Sequence, residues 1–307
     1  MILGVIDVGS NTVRLCVYDV SIEKRKFKTI MNRKIMAGLA AYIVDGAFSD
    51  EGIAEAIASV KKCLKRASYL NPSRVDVFAT AVLRNISNSK QAIAAIEEGA
   101  GCKISLLSSV DEAHLGFVGA SSRGPLENGA LIDIGGGSTE ITRIKGGADV
   151  ARTSLPQGSL SSYGHFVADI LPTAEEIGAI RDNIRGLISA DESGPCAKTA
   201  RELYGVGGSI RALSEVNAWM NPKASSDEIS RADVEALLAA VTEQRREFVD
   251  AVLHVSPERI HTISCGLAIL VEVFDELQGE RLRVCDRGVR EGYLIERMLG
   301  LSDLKSK

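Results

Sequence analysis

Two stretches of the chain share one pattern of apolar and polar positions. Residues 1–17, M-I-L-G-V-I-D-V-G-S-N-T-V-R-L-C-V, and residues 130–142, A-L-I-D-I-G-G-G-S-T-E-I-T, both run apolar into an aspartate, Asp7 or Asp133. Each then passes one more apolar residue, turns through glycine and a small hydroxyl residue, and becomes apolar again. Apolar runs bounded by glycine read as buried strands, so each stretch predicts a β-hairpin. Asp-x-Gly alone occurs in ordinary hairpins, and it is the duplication that points to a shared role. Glycine lets the turn approach a ligand with no Cβ in the way. Converging backbone amides then form a nest that suits phosphate oxygens, and the neighbouring aspartate suits a hard cation such as Mg²⁺.

The rest of the pattern alternates strands with helices. After the first hairpin, residues 27–35 read as a strand. Residues 49–69 read as a helix, with Ser49 before Asp50 and Glu51 and with Ile53, Ala56, Ile57, Val60, Leu64 and Ala67 at helical spacing; Pro72 stops it. A short strand over 75–79 ends in Thr80, a helix follows over 91–98, a strand over 104–107 and a helix over 110–120. The run R-G-P-L-E-N-G at 123–129 is turn chemistry and predicts the boundary between a domain of residues 1–122 and one of 123–307. Beyond the second hairpin come a strand at 148–155, a turn at 156–159 into a helix, and a helix at 173–189 whose Thr173 and Glu176 suit a capping box. A strand at 202–206 feeds Gly207 and Gly208 and a helix at 210–216. A loop over 218–230, helices over 231–252 and 260–277, a strand at 282–284 and a closing helix at 288–299 complete the chain. Such alternation implies α/β layers in both halves.

Composition adds exclusions. The 307 residues are 45% hydrophobic and 25% charged with a formal net charge of −4, which suits about two globular domains and offers no global attraction to nucleic acid or an anionic membrane. No apolar run approaches the ~20 residues that span a bilayer. The N-terminus opens into a strand without a basic region or cleavage site, so a cytoplasmic protein is expected. The six cysteines, Cys16, Cys63, Cys102, Cys196, Cys265 and Cys285, stand singly, which predicts small thiols in a reducing compartment and neither a zinc site nor a disulfide framework.

The duplicated hairpin resembles that of the actin-like ATPase superfold, also called the sugar kinase, Hsp70 and actin fold. The motifs D-V-G-S-N-T-V-R-L (7–15), F-A-T-A-V-L-R-N (78–85), D-E-A-H-L-G-F-V-G (111–119), D-I-G-G-G-S-T-E (133–140), Y-G-V-G-G-S-I-R-A-L (204–213) and D-R-G-V-R-E-G (286–292) are similar to those of the Ppx/GppA family of exopolyphosphatases and guanosine pentaphosphate phosphohydrolases, in that family's order. The resemblance implies two actin-like α/β domains with phosphates held in the cleft between them. It also implies the short form, without the C-terminal HD-like helical region of longer relatives, and a homodimer.

The resemblance further implies roles. Glu112, directly before Ala113, takes the place of the residue credited with activating water, and Arg84, just past the strand that ends in Ala79-Thr80, is a charged clamp for phosphate. Gly9, Ser10, Asn11 and Arg14 from the first hairpin and Gly135, Gly136, Gly137, Ser138 and Thr139 from the second would hold phosphates. Asp133 and Glu140 would carry Mg²⁺ (or Mn²⁺), with Asp7 as a further acidic group. Gly207 and Gly208 stand at a strand-to-helix turn, where they serve a distant phosphate or guanosine, or only close packing. Asp286 and Glu291 read as helix caps, with Arg290 left open. The expected reaction is Mg²⁺-dependent removal of the terminal phosphate of inorganic polyphosphate. The alternatives are guanosine pentaphosphate hydrolysis, a kinase of the same superfold, and a non-catalytic polyphosphate or alarmone sensor. Three departures from the family pattern stand out: Ser108-Ser109 for Ser-Gly, Asp111-Glu112-Ala113-His114 for Glu-Glu-Ala-Arg, and Met36-Ala37-Gly38 for Arg-Leu-Gly. His114 is expected to replace an outward arginine.

Overall fold

The computed structural model describes residues 1–191, 194–243, 246–301, 305 and 306. The chain forms two compact units. One comprises residues 1–124 together with 287–307, and the other residues 125–286. The break after residue 124 falls in the predicted turn region, but the expected single domain over 123–307 is divided. The closing helix packs on the first unit because Leu294 and Ile295, fully buried, join Leu3, Val5, Phe78 and Leu115 in its core.

In the first unit β1 (Ile2–Val8), β2 (Thr12–Ser21) and β3 (Lys26–Met36) form an antiparallel meander. Helix α1 (Asp50–Ser68) then crosses to β4 (Arg74–Ala79), parallel to β1, and α2 (Ser89–Ala100) to β5 (Ile104–Leu106), parallel to β4. Strand β1 reads as a continuous apolar run because both of its faces are covered. Ile6 and Val8 meet the layer of α1 and α2, whereas Leu3 and Val5 meet α3 (Ser109–Ser121) and the C-terminal helix. Asp7 interrupts the second of these faces. Ser49 caps α1 by accepting from the Gly52 amide at 3.2 Å.

The second unit repeats the plan. Strands β6 (Gly129–Ile134), β7 (Thr139–Lys145) and β8 (Ala148–Leu155) form the meander. After α4 (Ser159–Phe166) and α5 (Ala174–Ser189) comes β9 (Glu202–Val206), parallel to β6, which leads into α6 (Gly207–Met220). The edge strand β10 (Glu228–Ser230), α7 (Arg231–Thr242), α8 (Arg246–Val255) and α9 (Ile263–Leu277) precede β11 (Arg281–Val284), parallel to β9. The Thr173–Glu176 capping box forms as expected. The helix expected over 231–252 is two helices, whose join at 244–245 lies outside the described residues. The chain returns to the first unit as α10 (Val289–Gly292), continued by a π-helical turn at Tyr293–Met298, and ends in β12 (Lys305–Ser306) beside β3.

Two six-stranded sheets result, ordered β12-β3-β2-β1-β4-β5 and β8-β7-β6-β9-β11-β10. An antiparallel meander followed by two parallel strands recurs in both, so the duplication visible in the hairpins extends to whole sheets. Cys16, Cys63 and Cys265 are buried free thiols, and Cys102, Cys196 and Cys285 are half-buried ones.

Candidate active site

In the second unit the hairpin of β6 and β7 closes when the Gly135 amide donates to the Ser138 carbonyl at 3.0 Å. Its carbonyls are engaged from behind: Ser159 N–H donates to Gly135, and Leu160 and Ser161 N–H to Gly136, each at 2.9 Å. The N-terminus of α4 is thus seated on the turn, and only glycine fits at its first contact. A Cβ on Gly158 would lie 2.6 Å from the Gly135 carbonyl oxygen and 2.7 Å from the Ser138 nitrogen. Gly136 and Gly137 stand half-exposed at the tip, and among the described residues no backbone carbonyl outside the regular strands and helices takes their amides. Ser138 and Thr139 follow at the start of β7. Both are buried, and the Thr139 hydroxyl donates to the Gln157 carbonyl at 2.8 Å, so it braces the hairpin and presents no free hydroxyl.

Asp133 and Glu140 sit directly opposite each other across β6 and β7, on one face. Like charges in that position repel unless a partner intervenes. Glu140 is buried, and its Oε1 accepts from the Ser154 hydroxyl at 2.7 Å. Asp133 is half-exposed, and its carboxylate leaves no space for a Cβ on Gly207, whose φ of +91° favours glycine anyway. Gly208 lies against the Arg259 guanidinium, and the Ser209 hydroxyl lies 3.3 Å from that of Ser159. The glycine turn, the start of α6, the carboxylate pair and Arg259 therefore share one place in this unit. No set of three His, Cys, Asp or Glu residues able to hold a metal occurs among the described residues. Mg²⁺ characteristically uses only one or two carboxylates and keeps waters, so the Asp133–Glu140 pair with Ser154 behind it fits that ion's donor chemistry.

In the first unit the turn of β1 and β2 closes in the same way, the Gly9 amide donating to the Thr12 carbonyl at 3.0 Å. Its carbonyls are again engaged from behind, Asn11 by the Gly38 amide at 3.0 Å and Ser10 by the Ala40 amide at 2.9 Å. The twin position differs in charge. Asp7 faces Arg14 across the strands, where Asp133 faces Glu140. Asp7 Oδ2 accepts from Arg290 Nη1 at 2.9 Å, while Arg14 Nε donates to Asn32 Oδ1 at 2.8 Å. Burial raises the Asp7 carboxyl above its ordinary range, opposed by Arg290 and Arg14. Asp7, expected as a further acidic group beside the cation, accepts from Arg290, with Arg14 opposite it across the strands. Arg290 thereby acquires a partner, and Glu291 a structural role: it accepts from the Gly288 amide at 3.0 Å and the Tyr18 hydroxyl at 2.7 Å.

Arg84 and Glu112 come together, a pairing that the motifs alone did not specify. Arg84 closes a short helix, Ala81–Arg84, directly after β4. Its Nη1 donates to Glu112 Oε2 at 2.7 Å and to the Leu107 carbonyl at 3.0 Å. Both side chains are largely buried, at 16% and 12% exposure, so the pair is sheltered yet reachable. Glu112 stands in the first turn of α3, capped by Ser108, whose hydroxyl accepts from the Asp111 amide at 3.1 Å. His114 is not outward: its Nε2 lies 2.6 Å from Glu296 Oε2 on the C-terminal helix.

Gly158, Ser154 and Arg259 had not been singled out from the sequence. Gly158 in P-Q-G-S carried a signal, glycine just ahead of a helix. Ser154 and Arg259 carried none, because strand pairing and tertiary packing bring them to the site.

The repeated sheets with paired glycine turns define an actin-like two-domain α/β protein. The model of the Ppx/GppA phosphatase family matches residues 17–301, and the chain belongs to that family. Its fold is similar to that of an exopolyphosphatase from Cytophaga hutchinsonii, with a TM-score of 0.84 at 21% identity over 98% of this chain and 99% of the other. The Aquifex aeolicus family member is similar at a TM-score of 0.77 and 22% identity, with 98% of each chain covered. At those identities the likeness establishes the fold. Among the described residues no helix is long and apolar enough to cross a membrane.

Proposed function

We propose that this protein is an exopolyphosphatase that hydrolyses the terminal phosphoanhydride of inorganic polyphosphate and releases orthophosphate. The sheltered Arg84–Glu112 pair carries the reading, because it sets a carboxylate able to take a proton from water beside a cation able to hold a phosphate oxygen. In the proposed reaction, water gives a proton to Glu112 as its oxygen attacks the terminal phosphorus, and the bond to the bridging oxygen breaks in line. The shortened chain leaves with that oxygen. The amides of the Gly9–Ser10–Asn11 and Gly135–Gly136–Gly137 turns bind phosphate oxygens, and Arg14 adds a bidentate donor. Asp133 and Glu140 would hold Mg²⁺, which supplies charge neutralisation at those oxygens.

The test is orthophosphate release from short polyphosphate, long polyphosphate, guanosine pentaphosphate and ATP, with and without Mg²⁺. Release from polyphosphate that needs the metal supports the reading; preference for guanosine pentaphosphate under competition moves it to the other branch of the family. Glu112→Gln is expected to keep polyphosphate binding while turnover falls ~100-fold or more, the scale of general base catalysis. Turnover within a few-fold of normal would remove Glu112 from the role.

A further inference from the structure

Helix α3 carries Glu112 at its N-terminal end and lies against the C-terminal helix, and the two ends of that contact are built differently. Towards its C-terminal end the contact is backbone on backbone. A Cβ on Gly119 would collide with the Gly288 carbonyl, and a Cβ on Gly292 with the Leu115 carbonyl. Packing of this kind does not change with pH. At the N-terminal end, around Glu112, the contact is made by charge: Asp111 Oδ1 accepts from Arg297 Nη2 at 2.5 Å, and His114 Nε2 meets Glu296 Oε2 at 2.6 Å. Asp111 and His114, three residues apart, lie on one stripe of the helix. Glu112 is turned away from that stripe towards Arg84.

Of the two charge contacts, Asp111–Arg297 is constant around neutrality. Arginine keeps its proton, and the Asp111 carboxyl lies below its ordinary range, through the Ser108 hydroxyl first and Arg297 after it. Histidine is the side chain whose ordinary titration falls between about pH 5 and 8. Among the described residues, the charged groups around His114 include Glu296 and Arg297 from the C-terminal helix and Asp111 from its own, with Arg84 beyond Glu112 and with Arg290 and Glu291 further along the same C-terminal helix. Arg297 Nε stands 3.6 Å from Glu296 Oε1, so one guanidinium bridges both contacts.

We propose that His114 is a positioning residue for Glu112: its charged form ties the N-terminal end of α3 to Glu296, so that the placement of the general base, and with it the rate, depends on the histidine's proton. The inference rests on the reading of Glu112 as the base. Below the histidine's titration the contact is an ion pair, and above it a neutral imidazole retains at most a hydrogen bond. A half-exposed pair of this kind is worth a modest factor, so kcat/KM for polyphosphate is expected to fall about two- to five-fold as pH rises through the titration.

The test compares pH profiles of kcat/KM between pH 5.5 and 8.5 for the wild type, His114→Arg and His114→Gln. Arginine stays charged and long enough to reach Glu296, so His114→Arg is expected to hold the acid-side rate to high pH. His114→Gln, always neutral, is expected to show the alkaline-side rate throughout. Profiles of the two variants that superimpose on the wild type overturn the proposal. Thermal unfolding supplies a readout that needs no substrate. The melting temperature of His114→Arg relative to wild type is expected to rise by about 2 °C between pH 5.5 and 8.5, and a difference constant across that range also overturns it. Failure of the underlying reading looks different: Glu112→Gln would then turn over normally at every pH, whatever His114 does.

Discussion

Glycine 158 shows how a residue without a side chain can fix a site. It sits where the first turn of α4 meets the carbonyls of the second hairpin, with less than a methyl group of free space. Gly158→Ala must push that turn open, and forced overpacking of this kind costs about 1–3 kcal/mol. The expected result is a lower denaturant midpoint and a KM for polyphosphate that rises several-fold, measured on the same preparation. Residues of this kind divide sharply by legibility. Asp133, Glu140, Gly207 and Gly208 lie inside motifs and were singled out from the sequence, and their cross-strand and close-packed placement is what the structure adds. That Asp7 answers to Arg290, 283 positions later, was not readable, since nothing in the hairpin names a partner so far along the chain. The roles assigned to Asp7 and Asp133 look equivalent in sequence, and only the cross-strand partner, Arg14 or Glu140, separates them.

Among the elements, α3 depends most on its cap. Ser108 accepts from the Asp111 amide and donates to the Asp111 carboxylate at 2.6 Å, which helps to hold that carboxyl below its ordinary range. A carboxyl lowered by folding contributes stability that is present above its unfolded value of ~3.9 and lost as pH falls through the folded one. Ser108→Ala is therefore expected to cost about 1 kcal/mol at pH 7 and progressively less below pH 4, as followed by urea unfolding at both pH values. Helix periods and caps made α1 and α5 legible almost to the residue. The extent of α6 was underread because Gly207 and Gly208 look like a turn, yet they form its first residues. Three-residue β10 escaped notice because its only fully buried side chain, Ile229, gives no alternation to detect. The closing helix was legible as a helix, but its widening into a π turn at Tyr293–Met298 left no mark in the apolar spacing.

The whole molecule is one unit inserted into another. Residues 125–286 form a continuous unit with their own core, whereas residues 1–124 complete theirs only with Tyr293, Leu294 and Ile295 from the end of the chain. A fragment of residues 125–286 is accordingly expected to unfold cooperatively on its own. A fragment of residues 1–124 is expected to lack a cooperative transition, because the Leu3, Val5, Phe78 and Leu115 face would open to water. Urea titrations of the two fragments followed by circular dichroism check this, and a sharp transition in the shorter fragment would contradict it. The boundary near residue 124 could be read from Gly-Pro-Leu-Glu-Asn-Gly turn chemistry; the return at 287 could not, since a helix does not announce which sheet it will cover.

The insertion also sets an order in time. A chain emerging from the ribosome from its N-terminus exposes the first unit's sheet early but cannot cover one face of it until residues 293–295 appear, whereas the inserted unit has all its parts as soon as residue 286 is out. The part translated second should thus be the part that folds first. The helix bearing Glu112 would stay without its backing until residues 293–295 have been made, so its placement against the first unit's sheet would come after the inserted unit is already whole.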